Sequence, residues 1–98
     1  MTINRKQNGT NLEIALEGRL DTATAPELEA ELSGSMADAQ TLTLDMSGLA
    51  YISSAGLRVL LAAHTAMRAK GGMKVTHVSG IVQEVFEVTG FADILTIE

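Results

Sequence analysis

Two adjacent serines, Ser53 and Ser54, followed by small Ala55 and Gly56, are the residues of this 98-residue chain with the most chemistry open to them. A serine hydroxyl can act as a nucleophile, accept a phosphoryl group or cap a helix, and each role needs different neighbours. For nucleophilic catalysis, His64 with Asp21 or Asp45 supplies the right residue types. The spacing speaks against it. Ser54 is not in a G-x-S-x-G elbow, and His64 lies along the same predicted helix, not on a separate element able to reach back. His64 and His77 do not make a metal pattern either, because there is no H-E-x-x-H and no cysteine. Neither phosphate-cradling glycine fingerprint occurs, and Gly71-Gly72 closes a predicted helix instead of opening one. The expectation is a protein with no enzymatic activity, no metal and no cofactor.

The elements around the serines limit the remaining choices. Leu42, Leu44 and Met46 alternate with Thr41, Thr43 and Asp45, which predicts a strand with one buried face, ended by the turn residues Ser47-Gly48. From Leu57 the spacing becomes helical through Leu60, His64 and Met67, so Ser53 or Ser54 falls at the N-cap. A cap accounts for one hydroxyl. The second serine, with Ala55 and Gly56 beside it, suggests a surface that another molecule can approach closely. A helix start also tolerates added negative charge. On a helical wheel Gly56, Leu60, Ala63 and Met67 point inward, while Ser54, Arg58, Leu61 and Thr65 point out. Ser54, Arg58 and Leu61 therefore read as a small docking surface with an apolar anchor.

Elsewhere, Thr2 to Gln7 reads as a polar edge strand, and Asn8-Gly9 turns it into a strand of Leu12, Ile14 and Leu16 with its Glu13 and Glu17 side toward water. Gly18 to Thr24 is expected to be a loop. Thr24, Pro26 and Glu27 then read as a capping box opening a helix with an Ala25, Leu28, Leu32 and Met36 stripe. After Lys70-Gly71-Gly72, a strand from Met73, a short helix with Ile81, Val82, Val85 and Phe86 inward, and a strand over 92–97 complete the chain. Strands alternating with helices, each strand buried on one side, predict a single α/β domain over 1–98 with helices on one face of the sheet. Hydrophobic residues make up 46% and aromatics 3%, so the core is aliphatic. Seven basic against twelve acidic residues give a net charge of -5, which disfavours nucleic acid. With no cysteine, no apolar leader and no run long enough to span a membrane, a cytoplasmic protein is expected.

Asp45-Met46-Ser47, Tyr51-Ile52-Ser53-Ser54-Ala55-Gly56-Leu57 and Val59-Leu60-Leu61 resemble the phosphorylation-site signature of the STAS domain family, in particular bacterial anti-sigma factor antagonists. Gly18-Arg19-Leu20-Asp21 with Thr22 and Ala23 is similar to the family's earlier loop, and Gly90-Phe91 to its C-terminal turn. The resemblance implies a mixed four- to five-stranded sheet with helices packed on one face. It also implies a partner switch. The unmodified domain binds an anti-sigma factor that is also a serine protein kinase, frees a sigma factor, and is turned off by phosphorylation at Ser54. A PP2C-type phosphatase resets it. Ser53 stands where the family often has Asp and Arg58 where it often has Gly, so Ser53 is the alternative acceptor. The implied partner-binding set is Asp21 and Thr22 from the loop, with Ser53, Ser54, Gly56, Leu57, Arg58 and Leu61. The competing role is a non-switching STAS subunit of a lipid transporter or sensory complex.

Overall fold

The computed structural model describes residues 1–98, and its frame is a five-stranded sheet in the order β1-β2-β3-β4-β5. The elements are β1 (Thr2–Asn8), β2 (Asn11–Leu20), α1 (Ala25–Ser35), β3 (Thr41–Ile52), α2 (Ser54–Met67), β4 (Met73–Thr76), α3 (Gly80–Thr89) and β5 (Thr96–Ile97). Only β1 runs antiparallel, joined to β2 by the Asn8-Gly9 turn; the β2–β3, β3–β4 and β4–β5 pairs are parallel. Each parallel pair is linked through a helix, and each link steps one strand in the same direction. Right-handed crossovers then put α1, α2 and α3 on one face. The predicted one-sided α/β sheet follows from connectivity and handedness together.

Under the helices lies one aliphatic core, in which Leu12, Ile14 and Leu16 of β2 meet Leu42, Leu44 and Met46 of β3, and Leu28, Leu60, Met67 and Phe86 close over them. The opposite face carries Glu13, Thr41, Asp45 and Lys74 and has no helix over it.

Several boundaries differ from those predicted. β2 continues through Gly18 to Leu20 where a loop was expected, and β3 continues past Ser47-Gly48 to Ile52. The strands stay paired because β3 takes up two extra residues, one where Ala15–Glu17 faces Asp45–Gly48 and one where Gly18–Arg19 faces Leu49–Tyr51. Glycine makes the first bulge possible: a Cβ on Gly48 would lie 2.7 Å from Glu17 Cγ and 3.0 Å from the Leu16 carbonyl oxygen. Turn residues here mark bulges within a strand. In α3, Val82 and Phe86 are buried but Ile81 is 65% exposed, so the inward stripe is narrower than expected. The last strand is only Thr96–Ile97, since Phe91–Asp93 forms a 3-10 turn. β4 stops at Thr76 because the next residue, His77, turns to φ 56.

Candidate functional site

Where β2 and β3 end side by side, Leu20 pairs with Ile52 and the Ser53 N–H donates to the Leu20 carbonyl at 2.9 Å. Ser53 keeps an extended backbone, and its carbonyl accepts from Leu57 N at 2.9 Å, so the helical ladder of α2 begins at Ser54. Ser53 is thus the N-cap residue by position. Its hydroxyl makes no capping bond and is enclosed without a hydrogen-bond partner. Ser54, one residue on, is exposed. The paired hydroxyls are divided between inside and outside.

Gly56 and Leu57, part of the partner-binding set that the resemblance implied, are inside, which corrects that assignment and agrees with the inward position of Gly56 on the helical wheel. A Cβ on Gly56 would come within 2.7 Å of Leu20 Cγ and 2.9 Å of Ile52 Cγ1. The missing side chain lets the first turn of α2 settle on the paired strand ends, not on another molecule. Leu57 is 6% exposed and belongs to the core. Arg58 and Thr65 are exposed, and Leu61 is 38% exposed, so the predicted outer ridge with Ser54 exists.

Beside Ser53, the chain leaves β2 at Asp21. Asp21 Oδ1 accepts from Ala23 N at 3.0 Å and Thr24 N at 3.1 Å, while Thr24 Oγ1 accepts from Asp21 N at 2.8 Å and donates to the Arg19 carbonyl at 2.8 Å. This reciprocal box sits three residues before the predicted Thr24–Glu27 one, and Thr24 makes no side-chain cap on α1 itself. The cause is local. The Asp21 carboxylate reaches its own following backbone first, and helical bonding starts with Ala25 N on the Asp21 carbonyl at 2.8 Å. The Thr24 backbone N–H holds the Asp21 carboxyl below its ordinary value, helped by the Thr24 hydroxyl, Ala23 N–H and Arg19 against a smaller opposing effect of burial. Thr22 is exposed next to it.

Two residues not nominated from the sequence join this end of the molecule. The Arg19 guanidinium stacks 4.2 Å above the Tyr51 ring and lies 3.9 Å from Asp21 Oδ2. Their side chains leave the strands on the face away from the helices, next to the buried pair Leu20 and Ile52. Tyr51 is the chain's single tyrosine, two residues before the serine pair, and that was the available signal.

Asp45 does not join them. Its Oδ1 accepts from Ser47 N at 3.0 Å and lies 3.4 Å from His77 Nδ1, at the first bulge of β3. The Ser47 N–H, followed by the Ser47 hydroxyl and His77, lowers the Asp45 pKa against partial burial. His64 sits ten residues beyond Ser54 on α2, about 15 Å along the axis at 1.5 Å per residue, with an enclosed Nδ1 that has no partner. The residue types of a hydrolase triad are dispersed over three places.

The helix start therefore carries an exposed hydroxyl, a cation one turn later and a partly exposed leucine beyond it, beside the hydrogen-bonded loop of Asp21. Against known proteins, a BtrV protein of Bordetella bronchiseptica, assigned as an anti-sigma factor antagonist, is 39% identical over 84 residues, covering 84% of this chain and 72% of that one. An anti-sigma factor antagonist structure from Mycobacterium paratuberculosis superposes with a TM-score of 0.89 at 23% identity, over 98% of this chain and 83% of that chain. The anti-sigma factor antagonist SpoIIAA matches in its unphosphorylated form with a TM-score of 0.84 at 19% identity, over 99% and 88% of the two chains. Its phosphorylated form matches with 0.76 at 18% identity, over 99% and 91%. No helix of the chain is long and apolar enough to cross a membrane. Residues 3–96 match the family model described as Mlab, STAS domain, and the chain belongs to the STAS domain family.

Proposed function

We propose that this chain is an anti-sigma factor antagonist whose unmodified form binds an anti-sigma factor, so releasing a sigma factor, and which is switched off by phosphorylation of Ser54. The relatives are named anti-sigma factor antagonists, and the structure of one of them is known in both unphosphorylated and phosphorylated forms. The observation that carries the assignment to Ser54 is the contrast between neighbours: the Ser53 hydroxyl is enclosed, whereas Ser54 is exposed at the first residue of α2. An enzyme can reach only the second without opening the fold.

The switch needs no change of fold. Phosphate adds about −1.5 to −2 charges at pH 7, and the first turn of α2, which holds no acid, accommodates them. A partner seated over Ser54 and Leu61 would have to bury that charge, so binding is lost by desolvation and repulsion. The partner in this reading is an anti-sigma factor that is also the serine kinase, and a PP2C-type phosphatase restores the bound form. Asp21 and Thr22 border the docking face through their capped loop, and Gly56 and Leu57 support it from below.

The test is capture from native lysate with the wild type, Ser54→Ala and Ser54→Asp as baits, alongside phosphorylation by the captured kinase. Ser54→Ala is expected to bind and to resist phosphorylation, and Ser54→Asp to lose the partner. Phosphate incorporated into Ser54→Ala would move the acceptor to Ser53. Equal capture of transporter subunits by all three baits would instead favour the non-switching role.

A further inference from the structure

Arg58 has no ion-pair partner in the folded domain, although it lies on a helix surface near two acidic elements. The molecule's four ion pairs involve Arg5, Arg19, Lys74 and His77. α2 contains no Asp or Glu from Ser54 to Met67. Across a cleft of about 240 Å³ between the starts of α1 and α2, Glu29 faces the same space as Arg58 without bonding it. The other charges at this end are already engaged, Arg19 with Tyr51 and Asp21, and Asp21 with its own loop.

Ser54 and Arg58 stand four residues apart on one exposed ridge. Side chains at that spacing have Cβ atoms about 5–6 Å apart, and the favourable order places the anion N-terminal to the cation. We propose that Arg58 is the residue that answers phosphorylation. In the unmodified domain its guanidinium is free to meet a carboxylate of the partner, and a phosphate on Ser54 pairs with it within the helix. Modification then removes two features of the docking face at once, the neutral hydroxyl and the free cation. The inference rests on Ser54 being the phosphorylated residue.

A titration tests it without any kinase or partner. Phosphoserine is installed at position 54 of the full chain by codon reassignment, and the second phosphate pKa is read by phosphorus NMR. Arg58→Gln is expected to raise that pKa by at least about 0.3 unit, with Arg58→Lys recovering part of the difference and about 0.5 M NaCl shrinking it. Arg68→Gln, at the far end of α2, serves as the control and should titrate like the wild type. A wild-type titration for Arg58→Gln, or a larger shift from Arg19→Gln, overturns the pairing. The two claims fail separately. A normal shift in a chain that no kinase modifies keeps the pair and sinks the switch; no shift, with phosphorylation still abolishing capture, does the reverse.

Discussion

The two ends of α2 are built in opposite ways. At its C-terminal end the chain is tied off: Lys70 N and Gly72 N donate to the Met67 carbonyl at 2.9 and 3.0 Å. Lys70 Nζ reaches across to the carbonyls of Met36, Ala37 and Ala39 at 2.8, 3.1 and 3.0 Å. Gly71 lies so close to the start of β3 that its N–H donates to the Gln40 carbonyl at 2.6 Å. At the N-terminal end the cap hydroxyl is withdrawn, the first turn has no acid, and Ser54 stands free. Bonds that hold the helix in place are concentrated where nothing is expected to bind. The end left open is the one where the proposed phosphorylation of Ser54 would add charge.

Substitutions at the open end should act on binding and those at the closed end on stability. The largest expected effect is Leu61→Asp, with at least about a hundredfold loss of affinity for the captured partner, or roughly 3 kcal/mol, and an unchanged melting temperature. Isothermal titration and thermal melts measure the two sides, and normal binding would remove Leu61 from the interface. Next is Gly71→Val, because even a Cβ there would meet Thr41 Cγ2 at 2.6 Å and the Gln40 carbonyl oxygen at 2.7 Å. A loss of about 2–3 kcal/mol in urea unfolding is expected, with partner affinity retained. Lys70→Met should cost about 1 kcal/mol, since a partly exposed cation leaves three carbonyls to water. Loss of binding instead of stability in Lys70→Met would erase the contrast between the ends.

The smallest effect concerns acid. Asp45 has a pKa lowered in the fold, first by the Ser47 N–H, so its stabilising contribution is complete above the ordinary value of 3.8. That contribution is lost as pH falls through 3.8 toward the lower folded value. Urea midpoints for the wild type should therefore decline more steeply below about pH 4 than those of Asp45→Asn. Equal slopes would show that the bulge does not depend on the Asp45 charge.

Much of this was legible along the chain. The alternation of Leu12, Ile14 and Leu16 and of Leu42, Leu44 and Met46 predicts two buried strand faces, and all six are buried. The outward ridge of Ser54, Arg58, Leu61 and Thr65 was equally readable, because 3.6-residue periodicity is a local property. Two of the misreadings, at the strand ends and at Gly56, share one origin. Gly18, Ser47 and Gly48 have turn chemistry but lie inside strands, since pairing with a distant segment continues through the bulges. Gly56 had two readings, an inward position on the helical wheel and a small residue on an open surface, and the contact that settles it, Leu20, is far away along the chain.

By itself the sequence determined the order of strands and helices, the buried face of β2 and β3 and the outer face of α2, all of which depend on neighbours a few residues apart. Only the tertiary structure decided which serine is free, that Gly56 packs on the paired ends of β2 and β3, and that Arg19 lies over Tyr51. Those outcomes depend on Leu20 coming into register with Ile52, a long-range contact that sets burial where local propensity is silent.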